Sequence, residues 1–364
     1  MTTTLPQERR KGRIGTLETA RFLFIVFIYI SHCETSTAKC IFEFGGESGV
    51  AFFFVLSGFV LSLGYGQRVE QGSYGWRRFF FKRLAHLYPL HLLVMAATIA
   101  LDYRLGVTYS LGQILCHTFL VQTWTASVYY IGALNGVSWF LCDIIFFYAV
   151  FAMLYRWLMR CRVTTLCLIG VPFVIVYELF LPIVPDDNVN WTIYGYPLLR
   201  LPDFSLGVLL YRFFVSARSR RIADGVSKLG MWRATGVEML AVVALAVAWT
   251  VYGRLPFGVR CASLFWPVMP FVIYILAITD GGQGLLSRLM RRPSAVRLGS
   301  VSFEIFLIHI LMMRVTHYAL QLVWGDVDAV VSLVVSFFVS VAAAFALQRW
   351  FVRPVSNAVM RVCK

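Results

Sequence analysis

Two polar residues in one strongly apolar segment could do chemistry together. Arg21 and His32 lie eleven residues apart in TARFLFIVFIYISH, which is about 20° past three full helical turns. Their side chains therefore share one helix face, about 16 Å apart along the axis. The guanidinium can hold an anionic ligand, and the imidazole can act as a general base near neutral pH. The structural alternative is that Arg21 extends to water and His32 caps a helix end.

A second histidine has a similar setting late in the chain. His309 follows Arg297 by twelve residues, or about 18 Å of helix. The two apolar segments are predicted to run in the same direction, so His32 and His309 reach a similar depth. Two histidines at one level suggest a polar site inside the protein, although sequence does not show whether the two segments are neighbours.

A basic and aromatic segment, GWRRFFFKRLAHLYPLHLL over 75–93, could bind an anion. Arginine binds phosphate through paired hydrogen bonds, so the segment predicts a site for phosphate groups. The alternative is that its cations anchor and orient the chain at a membrane surface. These cations are Arg77, Arg78, Lys82 and Arg83.

A carboxylate follows Trp139 by about one helical turn in the apolar run 138–148. Asp143 should pair with a cation or orient a histidine, because an unpaired charge in an apolar interior is costly. An ordinary buried ion pair is the alternative. Arg200 and Asp203 are spaced to form a local pair on one helix, which we interpret as structural.

Helices that cross a bilayer must position these residues. Hydrophobic residues make up 59% of the chain and charged residues 14%, and the mean hydropathy is +0.73. Soluble domains carry about 25% charged residues. Apolar runs near 20 residues can each cross a hydrocarbon core of about 30 Å, whereas a β-barrel would show shorter alternating segments. We predict an all-α polytopic membrane protein with about ten transmembrane helices, over 14–33, 48–65, 84–101, 136–155, 163–184, 198–215, 232–252, 259–279, 299–320 and 328–348.

The distribution of Lys and Arg over the loops predicts how these helices are oriented across the membrane. Basic loops favour the cytoplasmic side, so the pattern predicts an even number of helices and both termini in the cytoplasm. Counting the interrupted apolar stretch 105–124 as a span would move every later basic loop to the opposite side of the membrane. We therefore predict an interfacial or re-entrant segment there. The net charge of +15 is scattered over short loops, which disfavours a nucleic-acid site. Most of the 33 Lys and Arg residues fall in 1–13, 66–83, 156–162, 212–235, 281–297 and 349–364.

The chain is interpreted as one membrane domain, 14–350, between cytoplasmic segments 1–13 and 351–364. The basic start lacks a signal cleavage pattern, so we expect a retained first helix. Ser57-Gly58 is interpreted as a place of close helix contact rather than as a nucleophile. The cysteines lack metal-binding spacing, and we expect no metal and no tightly bound cofactor. The sequence allows a disulfide between Cys33 and Cys40.

Six segments in this order resemble the acyltransferase-3 family of membrane acyltransferases, over about residues 14–350. Each segment alone is weak, but six in order are specific. Three positions depart from the family pattern: His86 stands where a last arginine is expected, Ile144 where an acidic residue is expected, and Arg353 where an acidic residue is common. The matching segments are Arg21 with His32, FFFVLSGFVLS, the basic segment before YPL, Trp139 with Leu141 and Tyr148, LRLPDFSLG, and LGSVSFEIFLIH.

The resemblance implies an enzyme that takes an acyl group, usually acetyl, from cytosolic acyl-CoA. It would transfer this group to a hydroxyl of a surface polysaccharide or a lipid-linked glycan. His32 matches the essential histidine of the family. We expect Trp139, Asp143 and His309 to support the acceptor site. The expected acyl-CoA-binding residues are Arg21, Arg77, Arg78, Lys82 and Arg83.

Two other functions stay open at this point. A transporter or flippase of a glycan or lipid intermediate would share the helices and buried charges, but it predicts inverted repeats, and we find no repeat. An inactive assembly subunit would keep the fold and lose activity. For the enzyme, we expect a multi-pass protein of a bacterial inner or cell membrane. Its expected partners are acyl-CoA, the glycan acceptor and membrane lipid, without nucleic acid.

Overall fold

The computed structural model describes residues 14–32, 42–184 and 193–362. These ranges contain helices, turns and loops and no β-strand, which confirms the all-α prediction. The proposed pairing of Cys33 with Cys40 lies outside the described residues.

The α-helices of the described ranges are numbered in chain order. They are α1 (Gly15–Ser31), α2 (Phe44–Glu70), α3 (Trp76–Arg104), α4 (Leu111–Thr118), α5 (Val128–Ile131), α6 (Trp139–Arg160), α7 (Val163–Phe180), α8 (Pro197–Phe214), α9 (Ala217–Ser227), α10 (Met231–Tyr252), α11 (Phe265–Ile278), α12 (Leu285–Met290), α13 (Pro293–Gly299), α14 (Ser302–Trp324), α15 (Ala329–Leu347) and α16 (Arg353–Val362). Single π-helical turns, Val259–Ser263 and Gln348–Val352, precede α11 and follow α15.

Within the described ranges, 8 helices are long and apolar enough to cross a membrane. They contain α2, α3, α6, α7, α10, α11, α14 and α15. The remaining two predicted spans form α1, with 17 residues, and α8, with 18 residues. Helix α1 is short for a span, and α8 carries charged residues, including Arg200 and Asp203. The structure therefore supports a multi-pass membrane protein, while the count of about ten stays a prediction.

The stretch 105–124 does not form a long helix. Helix α4 has 8 residues, or about 12 Å of length, and a 3₁₀ turn follows at Gln122–Thr125. The buried His117 fixes this segment, because its Nε2 donates to the Tyr130 carbonyl at 2.7 Å. Its Nδ1 must then accept the hydrogen bond from the Ser138 hydroxyl at 3.1 Å.

Glycines allow α2 to pack closely against two neighbours. Gly58 of α2 and Gly207 of α8 face each other, and a Cβ at either position would collide with the backbone of the other helix. Gly45 approaches the backbone of α1 in the same way, whereas a Cβ at Gly49 would collide with the Ile28 side chain of α1. The geometry confirms the interpretation of Gly58 as a close-contact residue. Helix α2 thereby contacts α1, α6, α8 and α11 at the centre of the bundle.

Polar contacts and a close approach fix the start of α1. The Thr16 amide donates to Asp280 Oδ1 at 2.9 Å, and the Thr19 hydroxyl donates to the Met290 carbonyl at 2.5 Å. Gly299 lies against the backbone of Glu18, where a Cβ would not fit. Because Gly299 ends α13, three residues before the first residue of α14, these contacts set the level of α1 relative to α14. We call this end of the bundle, predicted to face the cytosol, the inner end.

Candidate active site

The imidazole of the exposed His32 lies against that of the buried His309. His32 ends α1, and His309 lies seven residues into α14. Their ring centroids are 5.0 Å apart, with the planes inclined by 69°. Tyr29 lies beside them, with its ring 5.9 Å from that of His309 and its hydroxyl 2.6 Å from that of Ser336. The structure thus brings together two histidines whose common depth was predicted and whose proximity was not.

Backbone carbonyls determine which nitrogen of each ring carries a proton. His32 Nδ1 lies 2.8 Å from the Ile28 carbonyl, and His309 Nδ1 lies 2.6 Å from the Phe306 carbonyl. A carbonyl can only accept a hydrogen bond, so each Nδ1 is the donor and each neutral ring keeps its lone pair on Nε2. Both rings are therefore oriented as bases or nucleophiles through Nε2.

A cavity of about 200 Å³ opens at the inner side of this pair. Arg21, Arg83, His86 and Glu304 supply its ionisable groups. Apolar side chains form most of the remaining wall. These are Ile25, Phe53, Leu56, Leu87, Phe140, Leu141, Ile144, Phe303 and Phe306, with Tyr148 beside them.

Arg83 is held in this wall by aromatic rings. Its guanidinium carbon lies 5.4 Å from the ring centroid of Tyr65, 5.6 Å from that of Phe79 and 5.7 Å from that of Tyr148. These distances allow cation–π attraction. The buried Nε has no hydrogen-bond partner among the described residues. Arg83 is thus a positioned cation with unused donor capacity.

Arg21 is the second cation of the cavity. Its side chain is 31% exposed and forms an ion pair with Glu18 at 3.4 Å. A partly exposed pair of this kind contributes at most about 1 kcal/mol. An incoming phosphate could therefore replace Glu18 as the partner of Arg21 at small cost.

The other three predicted cations do not line the cavity. Arg77, Arg78 and Lys82 are exposed on the first two turns of α3. They lie on other faces of the helix than Arg83, because adjacent positions are rotated by about 100°. Their positive charge stays near the inner end, where it can attract an anion without contacting it in the cavity.

Trp139 and Asp143 belong to a different cluster. Trp139 packs against Tyr194, with ring centroids 4.9 Å apart, and does not line the cavity. Asp143 is completely buried, and its oxygens have no hydrogen-bond partner among the described residues. Arg200 is close enough to act electrostatically on Asp143. The same guanidinium lies 3.3 Å from Asp203. The structure therefore places Asp143 beside Arg200 rather than beside the histidines.

Glu304 is a cavity residue that sequence reasoning did not single out. It is buried, and its Oε1 accepts a hydrogen bond from Gln348 at 3.3 Å. Arg353 in turn donates to Gln348 Oε1 at 2.9 Å. A carboxylate inside an apolar run, five residues before His309, was the signal available in the sequence. Arg353, one of the departures from the family pattern, is thus tied indirectly to the cavity.

Most of the chain is similar to known acyltransferases. A family model described as an acyltransferase domain matches residues 14–349. A curated relative, Acyltransferase MdmB from Streptomyces mycarofaciens, is 27% identical over 293 residues, which cover 75% of this chain and 69% of that protein. No solved structure matches the chain.

Proposed function

The chain belongs to the acyltransferase-3 family, and from this premise we propose the donor and the acceptor of its reaction. We propose that it moves an acyl group, with acetyl expected, from cytosolic acyl-CoA to a hydroxyl of a surface polysaccharide or lipid-linked glycan. One observation carries the proposal: a cavity with two cations in its wall leads from the inner end toward the His32–His309 pair.

The cavity fits part of acyl-CoA. Its volume of about 200 Å³ is below the roughly 300–1,000 Å³ of a site that encloses a whole drug-sized ligand. The acyl group and the end of the pantetheine arm would enter the apolar part of the cavity. The nucleotide would stay outside, where Arg21 and Arg83 bind phosphate oxygens and the exposed Arg77, Arg78 and Lys82 add long-range attraction.

His32 supplies the chemistry of transfer in this proposal. Its Nε2 removes the proton of the acceptor hydroxyl as oxygen attacks the acyl carbon, or it carries the acyl group itself. General-base catalysis is worth about 10²–10⁴ in rate, and histidine is also a competent acyl carrier. His32 is exposed, so an acceptor can approach a ring that does not line the cavity.

Mass spectrometry of surface glycans and lipids tests this function. Cells that express the wild type are compared with cells that express His32→Ala at a matched level. Loss of one acyl mass from one glycan in the variant would identify the group, the acceptor and the role of His32 together. An acylation pattern that is unchanged in the variant would remove His32 from the reaction. Absence of any acyl product in both strains would favour the transporter or assembly-subunit alternatives.

A further inference from the structure

The two histidines differ in their relation to the cavity. His309 is 1% exposed and follows Phe306, a wall residue of the cavity, by one helical turn. The rings of Phe306 and His309 are 6.0 Å apart, and His309 is 5.0 Å from His32. On α1, the buried Ile28 separates the wall residue Ile25 from His32. His309 is therefore closer than His32 to the wall of the cavity.

The Nε2 atom of His309 is buried and has no hydrogen-bond partner among the described residues. A buried polar atom left unpaired costs about 1–3 kcal/mol, so natural proteins rarely keep one without use. The proton on Nδ1 is fixed by the Phe306 carbonyl at 2.6 Å, which leaves the Nε2 lone pair as the reactive position. Such an atom is suited to attack a carbonyl carbon.

We propose that His309 is a second catalytic residue, which together with His32 forms a two-histidine acyl relay. The proposal rests on the proposed function, because its first step consumes acyl-CoA. His309 would take the acyl group from the thioester on the cavity side, and His32 would pass it to the acceptor. The relay needs the Phe306 side chain to turn aside when the acyl group arrives, because Phe306 is the wall residue whose ring contacts that of His309.

Each step balances in atoms and electrons. In the first, His309 Nε2 attacks the thioester carbonyl carbon and the C–S bond breaks. The CoA thiolate leaves with the electron pair and takes one proton from water, which the third step returns. In the second, His32 Nε2 attacks the same carbon, and the electron pair of the broken C–N bond returns to His309.

In the third step, the acceptor hydroxyl oxygen attacks the acyl carbon on His32. The C–N bond breaks, its electron pair returns to His32, and the hydroxyl proton is released to water. While a ring carries the acyl group it is a cation, and its Nδ1–H still donates to Ile28 or Phe306. A hydrogen bond from a charged donor is stronger than a neutral one, so these carbonyls stabilise both intermediates.

Mapping of acylated histidines tests the relay. The purified protein in lipid nanodiscs is mixed with radiolabelled acetyl-CoA, rapidly denatured in the cold at neutral pH and mapped by peptide mass spectrometry. Wild type, His32→Asn and His309→Asn are compared. His317→Asn is the matched control, because His317 lies farther along α14 and contacts Ser332 instead.

The relay predicts that His32→Asn accumulates the acyl group on His309. It predicts that His309→Asn loses acylation of His32 from acetyl-CoA by at least about 100-fold. N-acetylimidazole, a small donor that bypasses the first step, should still acylate His32 in this variant, which shows that His32 itself remains reactive. His317→Asn should behave like the wild type.

Two results would overturn the relay. The first is His309→Asn loading His32 from acetyl-CoA at the wild-type rate, which would leave His309 a positioning residue. The second is acyl transfer to glycan by the wild type with neither histidine ever labelled. Neither result contradicts acyl transfer itself. By contrast, a wild type that releases no CoA from acetyl-CoA in the presence of a glycan acceptor would contradict the proposed function and the relay together.

Discussion

The rings of His32 and His309 lie 5.0 Å apart, although His32 ends α1 and His309 belongs to α14. Contacts at the inner end, where Gly299 packs on the backbone of Glu18, set the two helices at a common level. The two histidines thus form a small polar site in an otherwise apolar bundle. The cavity lined by Arg21 and Arg83 leads toward this site from the inner end.

Arg83 and its neighbour Lys82 should differ sharply in donor binding. Arg83 lines the cavity, whereas Lys82 is exposed beside it. A charged hydrogen bond is worth about 1.5–3 kcal/mol, so Arg83→Gln should raise the KM for acetyl-CoA by about 10- to 100-fold. Lys82→Gln removes the same charge and should change KM by less than about 3-fold. Equal effects in initial-rate assays would show that only net charge matters.

Phe140 should limit the length of the acyl group. Its ring lines the cavity and packs 5.0 Å from that of Phe306. Each buried methylene contributes about 0.8 kcal/mol, so the space opened by Phe140→Ala should favour butyryl-CoA over acetyl-CoA by about 10-fold in kcat/KM relative to the wild type. Phe338→Ala is the control, because Phe338 is 66% exposed. A selectivity ratio that stays constant in the Phe140 variant would contradict this assignment.

The α2–α8 contact should not tolerate a methyl group. A Cβ at Gly207 would collide with the backbone of α2, whereas Gly170 of α7 has open space around it. Overpacking typically costs about 1–3 kcal/mol, so Gly207→Ala should lower the apparent Tm in detergent by several degrees. Gly170→Ala should leave Tm unchanged or raise it, since alanine favours helix. Equal Tm values for the two variants would argue against this packing.

His117 should make stability depend on pH. Burial lowers the pKa of His117 to about 4, below the ordinary value of about 6.5. Between these values the unfolded chain binds a proton that the folded chain does not, so stability falls as pH falls from about 6.5 to about 4. The loss is on the order of 3 kcal/mol at most.

Apparent Tm measured at pH 7.5 and pH 5 checks the role of His117. His117→Gln retains a donor and an acceptor but cannot titrate, so its Tm should fall less than that of the wild type at pH 5. If the apparent Tm falls by the same amount in both proteins between pH 7.5 and pH 5, the pH dependence comes from other groups.

Sequence predicted the polar residues better than their partners. Counting along apolar segments gives depth, which is why His32 and His309 were expected at one level. Depth does not reveal which helices touch or which face a helix turns inward. Asp143 was expected near a histidine or a cation, and the packing of α6 directs it toward Arg200.

The same limit applies to the cations of α3. Four of them lie close together in sequence, but only Arg83 among these four lines the cavity. Its three aromatic neighbours come from α2, α3 and α6, so no local pattern could distinguish it from Lys82. Glu304 was visible as a charge in an apolar run, but its position in the cavity depends on tertiary packing.

The central claim is that acyl-CoA is consumed through His32, and its most direct test is CoA release by purified protein. Wild type, His32→Asn and the control His317→Asn are reconstituted in lipid with acetyl-CoA and a glycan acceptor fraction, and free thiol is followed with time. We expect acceptor-dependent release by the wild type and the control, and a rate at least about 100-fold lower for His32→Asn. Release by His32→Asn at the wild-type rate would show that acyl-CoA is not consumed through His32.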